Sequence, residues 1–248
     1  MAAPPSDSTP LAYDMVQFPV VCASFILCVS RFMWINRDAA ARVADCAMSF
    51  KAIMCDGHFD RVLFAQISHE SLVHLSLNMS SLLSLHSLEP SLGSPHFLKL
   101  IIILLFLSGT VMLCSSFALY KYTRDAAHIT SSAIGFSCVL FGLTSFQSLS
   151  LSHASASITI FGLTLPALFA PFASLIMVSL LVPTASFAGH FSGIIAGFAS
   201  AALSLHTALP ASFLAALLLL CLASKRARSH TVAAQQQPEE QEEEQYNV

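Results

Sequence analysis

Ser131-Ser132-Ala133-Ile134-Gly135-Phe136-Ser137-Cys138-Val139-Leu140-Phe141-Gly142-Leu143 is the stretch whose reading decides the fold. It opens a long apolar segment and so predicts the start of a buried or membrane helix. Gly135 permits close approach of another backbone or of a substrate. Ser137 and Phe141 are four residues apart and share a helix face. A lone Ser in an apolar helix usually bonds back to its own carbonyls. A second stretch changes that reading: Ser186-Phe187-Ala188-Gly189-His190-Phe191-Ser192-Gly193-Ile194-Ile195-Ala196-Gly197. It sets His190 near the start of another apolar helix, on one face with Gly193 and Gly197. Small residues on that face let two helices pack closely enough for a Ser and a His to touch.

Composition sets the class. Of 248 residues, 55% are hydrophobic and 10% charged, and the mean hydropathy is +0.71. That is the balance of a polytopic membrane protein. A formal net charge of -3, with no basic patch interleaved with aromatics, excludes nucleic acid as a partner. Five of the seven Cys lie in apolar segments, where a buried thiol is the default. Cys46 and Cys55 share a polar loop and are the one pair placed to bridge. No CxxC or HExxH occurs, so neither a structural zinc site nor a zincin is expected. No cofactor is implied.

Apolar segments divide the chain. Residues 1–14 form a polar tail without the marks of a cleaved signal peptide. Residues 15–206 form a transmembrane domain, with spans expected near 15–35, 69–88, 97–119, 128–149, within 158–182, and at 186–206. The fifth is interrupted by Pro166 and Pro171 and is expected to be a shorter helix. Between the first two spans, residues 59–67 are amphipathic and suit the membrane surface. Residues 207–223 are apolar but short; they read as a seventh span, an interfacial helix or an extension of the sixth. Residues 224–248 are basic, through Lys225, Arg226 and Arg228, then acidic, and disordered by composition. The basic run suggests a cytosolic C-terminus, and with a cytosolic N-terminus six spans. The expected architecture is an all-α, six-helix membrane bundle.

The second span is unusually polar. His69, His74 and Asn78 lie in it, and His74 and Asn78 stack on one face. A single polar residue at membrane depth more often joins helices than builds a site; three together point to a site. Spans two, four and six run in one direction, so these residues, Ser137 and His190 fall in the same half of the bilayer. Ser137 is expected about 14 Å into its span and His190 about 6 Å into its own. A buried Ser beside a His is a nucleophile with its base. Asn78, His74 and the Ser137 amide are candidate donors to an oxyanion.

His74-Leu-Ser-Leu-Asn78, Gly135-Phe-Ser137 and Gly189-His190-Phe-Ser-Gly193-Ile-Ile-Ala-Gly197, in this order, resemble the rhomboid intramembrane serine proteases. The resemblance covers residues 59–206. Arg61, His69 and Glu89-Pro-Ser-Leu-Gly93 add to it, and the strings around Ser137 and His190 resemble the endoplasmic-reticulum branch. It implies a Ser137–His190 dyad without a third carboxylate, oxyanion donors His74 and Asn78, and Phe141 where the family often has a Tyr stacked on the His. Gly135, Cys138, Gly193, Gly197 and His69 support the site. The implied activity is endoproteolysis of transmembrane substrates near the luminal half of the bilayer, and the implied location is a secretory-pathway membrane. The sequence departs from the family's usual Gly after the Ser, where Cys138 stands and narrows the expected oxyanion pocket. The alternative is a catalytically silent relative that binds membrane clients for quality control.

Overall fold

The computed structural model describes residues 17–37, 43–150, 157–160, 163–182, 185–219 and 221–222. The polar tail at 1–14 and the charged tail at 224–248 lie outside them. Among the described residues the principal helices are α1 (Pro19–Ile35), α2 (Leu72–Ser84), α3 (Ser94–Thr123), α4 (Ser137–Ser150), α5 (Ala170–Leu181) and α6 (Phe187–Ala202). Of these, α3 alone is long and apolar enough to cross a membrane by length and composition. It forms the spine of the bundle, with α4 and α6 packed together against it.

Local sequence sets the helix starts. Ser71 caps α2 by accepting from the His74 amide, and Ser186 caps α6 by accepting from the Gly189 amide. Pro171 lies in the first turn of α5, where a missing N–H costs nothing. The cap of α1 comes from afar: Glu89, fully buried, accepts from the Val20 amide at 3.0 Å and the Val21 amide at 2.9 Å. This places the start of α1 beside the α2–α3 turn.

The fourth span differs from expectation. A short helix at Ala127–Thr130 ends, the chain runs extended, and α4 begins at Ser137 itself. The extended segment finds backbone partners in the first loop. Met48 and Ala133 exchange amide–carbonyl bonds at 2.9 and 2.8 Å, and the Gly135 amide donates to the Ala65 carbonyl at 3.0 Å. Gly135 has φ +114°, a region that disfavours any side chain. Helix would forfeit these bonds, so it starts only after them. Ser137 therefore lies at the first residue of its helix, and the depth gap expected against His190 closes.

Residues 59–67 pack partly into the bundle. Leu63, Ala65, Gln66 and Ile67 are buried. Gln66 Nε2 donates to the carbonyls of Val62 and Leu105, and its Oε1 accepts from Ser108 Oγ. A buried amide needs such partners, and these lock the loop to the middle of α3. Cys46 and Cys55 do not bridge; both are free thiols. The described residues are mostly helical, as expected; Ser157–Ile160 and Leu163–Pro166 add one pair of antiparallel strands. Ile158, Thr159, Ile160 and Thr164 are β-branched and favour strand.

Beyond α6, Leu205–Ala208 forms one short helix, and residues 211–219 and 221–222 are helical again. Lys99 Nζ, near the start of α3, donates to the Leu209 carbonyl at 3.4 Å. Leu214 is buried, and Leu218 and Cys221 pack on the main core.

Candidate active site

Ser137 Oγ and His190 Nε2 are 2.9 Å apart. Both residues are buried, at 9% and 5% exposure, yet they come from the first turns of two different helices. Two glycines make this approach possible. A Cβ on Gly193 would strike the Cys138 carbonyl, and one on Gly197 would strike the Gly142 carbonyl. The α6 backbone thus rides directly on the α4 backbone, which is the close packing that small residues permit. The His190 ring stacks on Phe141, with centroids 4.6 Å apart and planes at 28°. Phe141 fixes the ring plane so that Nε2 faces Ser137.

The second helix closes the site. A Cβ on Gly135 would lie 2.7 Å from His74 Cε1 and Nε2, and 3.4 Å from Asn78 Nδ2. His74 and Asn78 therefore stand over the backbone two residues before the Ser. Asn78 Nδ2 is buried and has no hydrogen-bond partner. An unpaired buried amide donor is costly unless something fills the position in use. The His69 ring packs edge-on against His74 at 5.1 Å, and His69 Nε2 accepts from the Phe136 amide at a long 3.5 Å. His69 thus backs both the donor helix and the turn into Ser137.

Cys138 is buried, and its Sγ lies 3.3 Å from where a Gly189 Cβ would be. The thiol packs between α4 and α6.

Among the described residues no carboxylate pairs with His190; Lys51 pairs with Asp56, and the Glu70 carboxylate lies 3.8 Å from His74 Nδ1. His190 Nδ1 also has no hydrogen-bond partner. For Nε2 to accept the hydroxyl proton, Nδ1 must hold the ring proton. No cluster of three His, Cys, Asp or Glu side chains suited to a metal occurs among the described residues. The chemistry available is that of a Ser nucleophile, a His base and two side-chain donors.

Sequence reasoning missed several supporting residues. Gln66, which ties the first loop to α3, stands in an amphipathic run where a polar residue carries no signal of burial. The backbones of Met48 and Ala65 act without regard to their side chains. Ser186 was visible as a helix cap, three residues before Gly189.

Comparison with known proteins identifies the family. The domain model described as Rhomboid domain matches residues 56–207, more than half of the chain. Rhomboid-like protein 14, mitochondrial, of Arabidopsis thaliana is 35% identical over 139 residues, covering 55% of this chain and 41% of that protein. Rhomboid-related protein 4 of Homo sapiens is 34% identical over 142 residues, covering 56% and 44%. Rhomboid-like protein 15 of Arabidopsis thaliana is 35% identical over 142 residues, covering 56% and 35%. The matched stretch is less than half the length of each of these relatives. The chain belongs to the rhomboid family of helical membrane proteins.

Proposed function

We propose that this chain is an intramembrane serine endopeptidase that cleaves transmembrane substrates in the half of the bilayer holding Ser137. The observation that carries the reading is the buried 2.9 Å contact between Ser137 Oγ and His190 Nε2. Ser137 Oγ attacks the scissile carbonyl carbon while its proton passes to His190 Nε2. The electron pair of the carbonyl moves to oxygen, where Asn78 Nδ2, His74 and the Ser137 amide donate. Collapse breaks the C–N bond, and His190 returns its proton to the departing amine. Water, deprotonated by His190, then hydrolyses the Ser137 ester and restores the enzyme. Location in the endoplasmic reticulum or another secretory membrane is part of the same proposal; it rests on the strings around Ser137 and His190. The mitochondrial label on one relative names the alternative compartment.

The test is labelling by a fluorophosphonate in detergent. An ordinary Ser hydroxyl is a poor nucleophile without an adjacent base, so label confined to Ser137 reports activation. Labelling is expected to vanish in Ser137→Ala and to fall severely in His190→Ala, with cleavage of a co-expressed transmembrane reporter lost in both. Folded wild-type protein that neither takes label nor cuts any of several reporters overturns the proposal in favour of a client-binding role.

A further inference from the structure

We infer that His96, Lys99 and His206 form a binding site for the phosphomonoester headgroup of a membrane lipid, at the end of the bundle opposite Ser137.

The three side chains come from two elements. His96 and Lys99 are three residues apart in the first two turns of α3 and share a face. His206 lies in the short helix Leu205–Ala208 beyond α6, which the chain enters through Ser204 at φ +48°. The His206 ring stands edge-on to Phe146 at 5.1 Å and to His96 at 6.1 Å. Lys99 Nζ donates to the nearby Leu209 carbonyl at 3.4 Å, and Lys99 and His96 both act on His206 as like charges. All three residues are half-buried, open on one side. Phe146 is about 14 Å along α4 from Ser137, so the cluster is no part of the catalytic site.

The cluster lacks a counter-ion. Among the described residues no carboxylate pairs with His96, Lys99 or His206. Glu89, the acidic side chain of the preceding turn, gives both oxygens to α1 amides. His206 Nδ1 is buried without a hydrogen-bond partner, a costly state unless something fills the position. The cluster also stands at the N-terminus of α3, a helix of 30 residues, whose positive end favours an anion.

A phosphomonoester matches this set of donors. It brings up to two negative charges and three accepting oxygens, against an ammonium and two imidazole N–H groups. The surroundings favour a lipid as its source. Thirty residues rise about 45 Å, the thickness of a bilayer with its headgroups, so the first turns of α3 lie at headgroup depth. Leu98, Leu203 and Phe213, close to the cluster in sequence, are exposed and offer acyl chains an apolar surface. Basic pockets between membrane helices hold lipid headgroups in this way.

The test uses the full chain in phosphatidylcholine nanodiscs doped with phosphatidic acid, a phosphomonoester, or with phosphatidylglycerol, a phosphodiester. Retained lipid is counted by native mass spectrometry. Phosphatidic acid should be retained over phosphatidylglycerol, and its retention should fall by about tenfold in Lys99→Gln and in His206→Gln, the loss of one hydrogen bond to a charged group. His206→Gln leaves the Lys99–Leu209 contact in place, so it separates loss of the ligand from loss of that contact. Lys121→Gln, an exposed cation at the other end of α3, should retain lipid as wild type does. Equal retention of the two lipids, or wild-type retention by both cluster variants, overturns the inference. If protein in phosphatidylcholine alone binds inorganic phosphate as tightly as it binds phosphatidic acid, the occupant is a free anion and the lipid assignment is wrong. None of these readouts depends on proteolysis.

Discussion

Gly193 and Cys138 touch backbone to backbone: the position of a Gly193 Cβ is already occupied by the Cys138 carbonyl. The contact lies next to Ser137 in the chain and one helical turn from His190. Gly193→Ala must therefore separate the two helices just where the dyad meets. Overpacking of this kind costs about 1–3 kcal/mol, and a shift near 1 Å costs about 100-fold in rate. Thermal unfolding and reporter cleavage should both fall. An alanine variant with unchanged melting and turnover would show that the contact does not set the dyad distance.

Asn78→Ala should act on turnover more than on substrate binding, because its unpaired Nδ2 is, in the proposed mechanism, a donor to charge that develops only in the transition state. A loss of about 100- to 1000-fold in kcat is typical of one oxyanion donor. Steady-state kinetics on a purified reporter would separate kcat from KM. A change confined to KM would move the role to His74.

Cys138→Gly should not raise activity. The thiol fills space between α4 and α6 beside Gly189, so its removal leaves a gap, and Gly in place of Ala in a helix costs about 1 kcal/mol before that gap is counted. Melting temperature should fall, with turnover per folded molecule unchanged or lower. Faster cleavage by the glycine variant would restore the idea that Cys138 crowds the oxyanion.

Glu89→Gln should lower stability while sparing chemistry. Both Glu89 oxygens are used by α1 amides, and a neutral amide offers one accepting oxygen in place of two while its NH2 brings donors that lack a partner. A lost helix cap costs about 0.5–2 kcal/mol. The residue stands at the end of the bundle opposite Ser137, so fluorophosphonate labelling per folded molecule should stay near wild type. Lost labelling with intact folding would assign Glu89 a part in the site.

The sequence made the constellation legible because its chemistry resides in a few residue types at helical spacing. His190, Gly193 and Gly197 are separated as one face requires, and the structure places that face on α4. Phe141, four residues from Ser137, lies against the His190 ring. What the sequence hid was tertiary. Apolar periodicity cannot distinguish an extended Ser131–Phe136 from helix when the deciding bonds come from Met48 and Ala65, far away in the chain. The same holds for Gln66, whose partners lie on α3. The strand pair Ser157–Ile160 and Leu163–Pro166 was hidden by apolar residues that suit a strand as well as a span.

The carboxylate of Glu89 also has a consequence for the order in which the molecule is built. Ribosomes deliver α1 first, but its opening amides wait for an acceptor that is 68 and 69 residues further along. Until the α2–α3 turn has been synthesised, those two amides lack their acceptor. Capping of the first helix is thus completed only after the second has been made, and nascent chains released before Glu89 carry an α1 whose opening turn is uncapped.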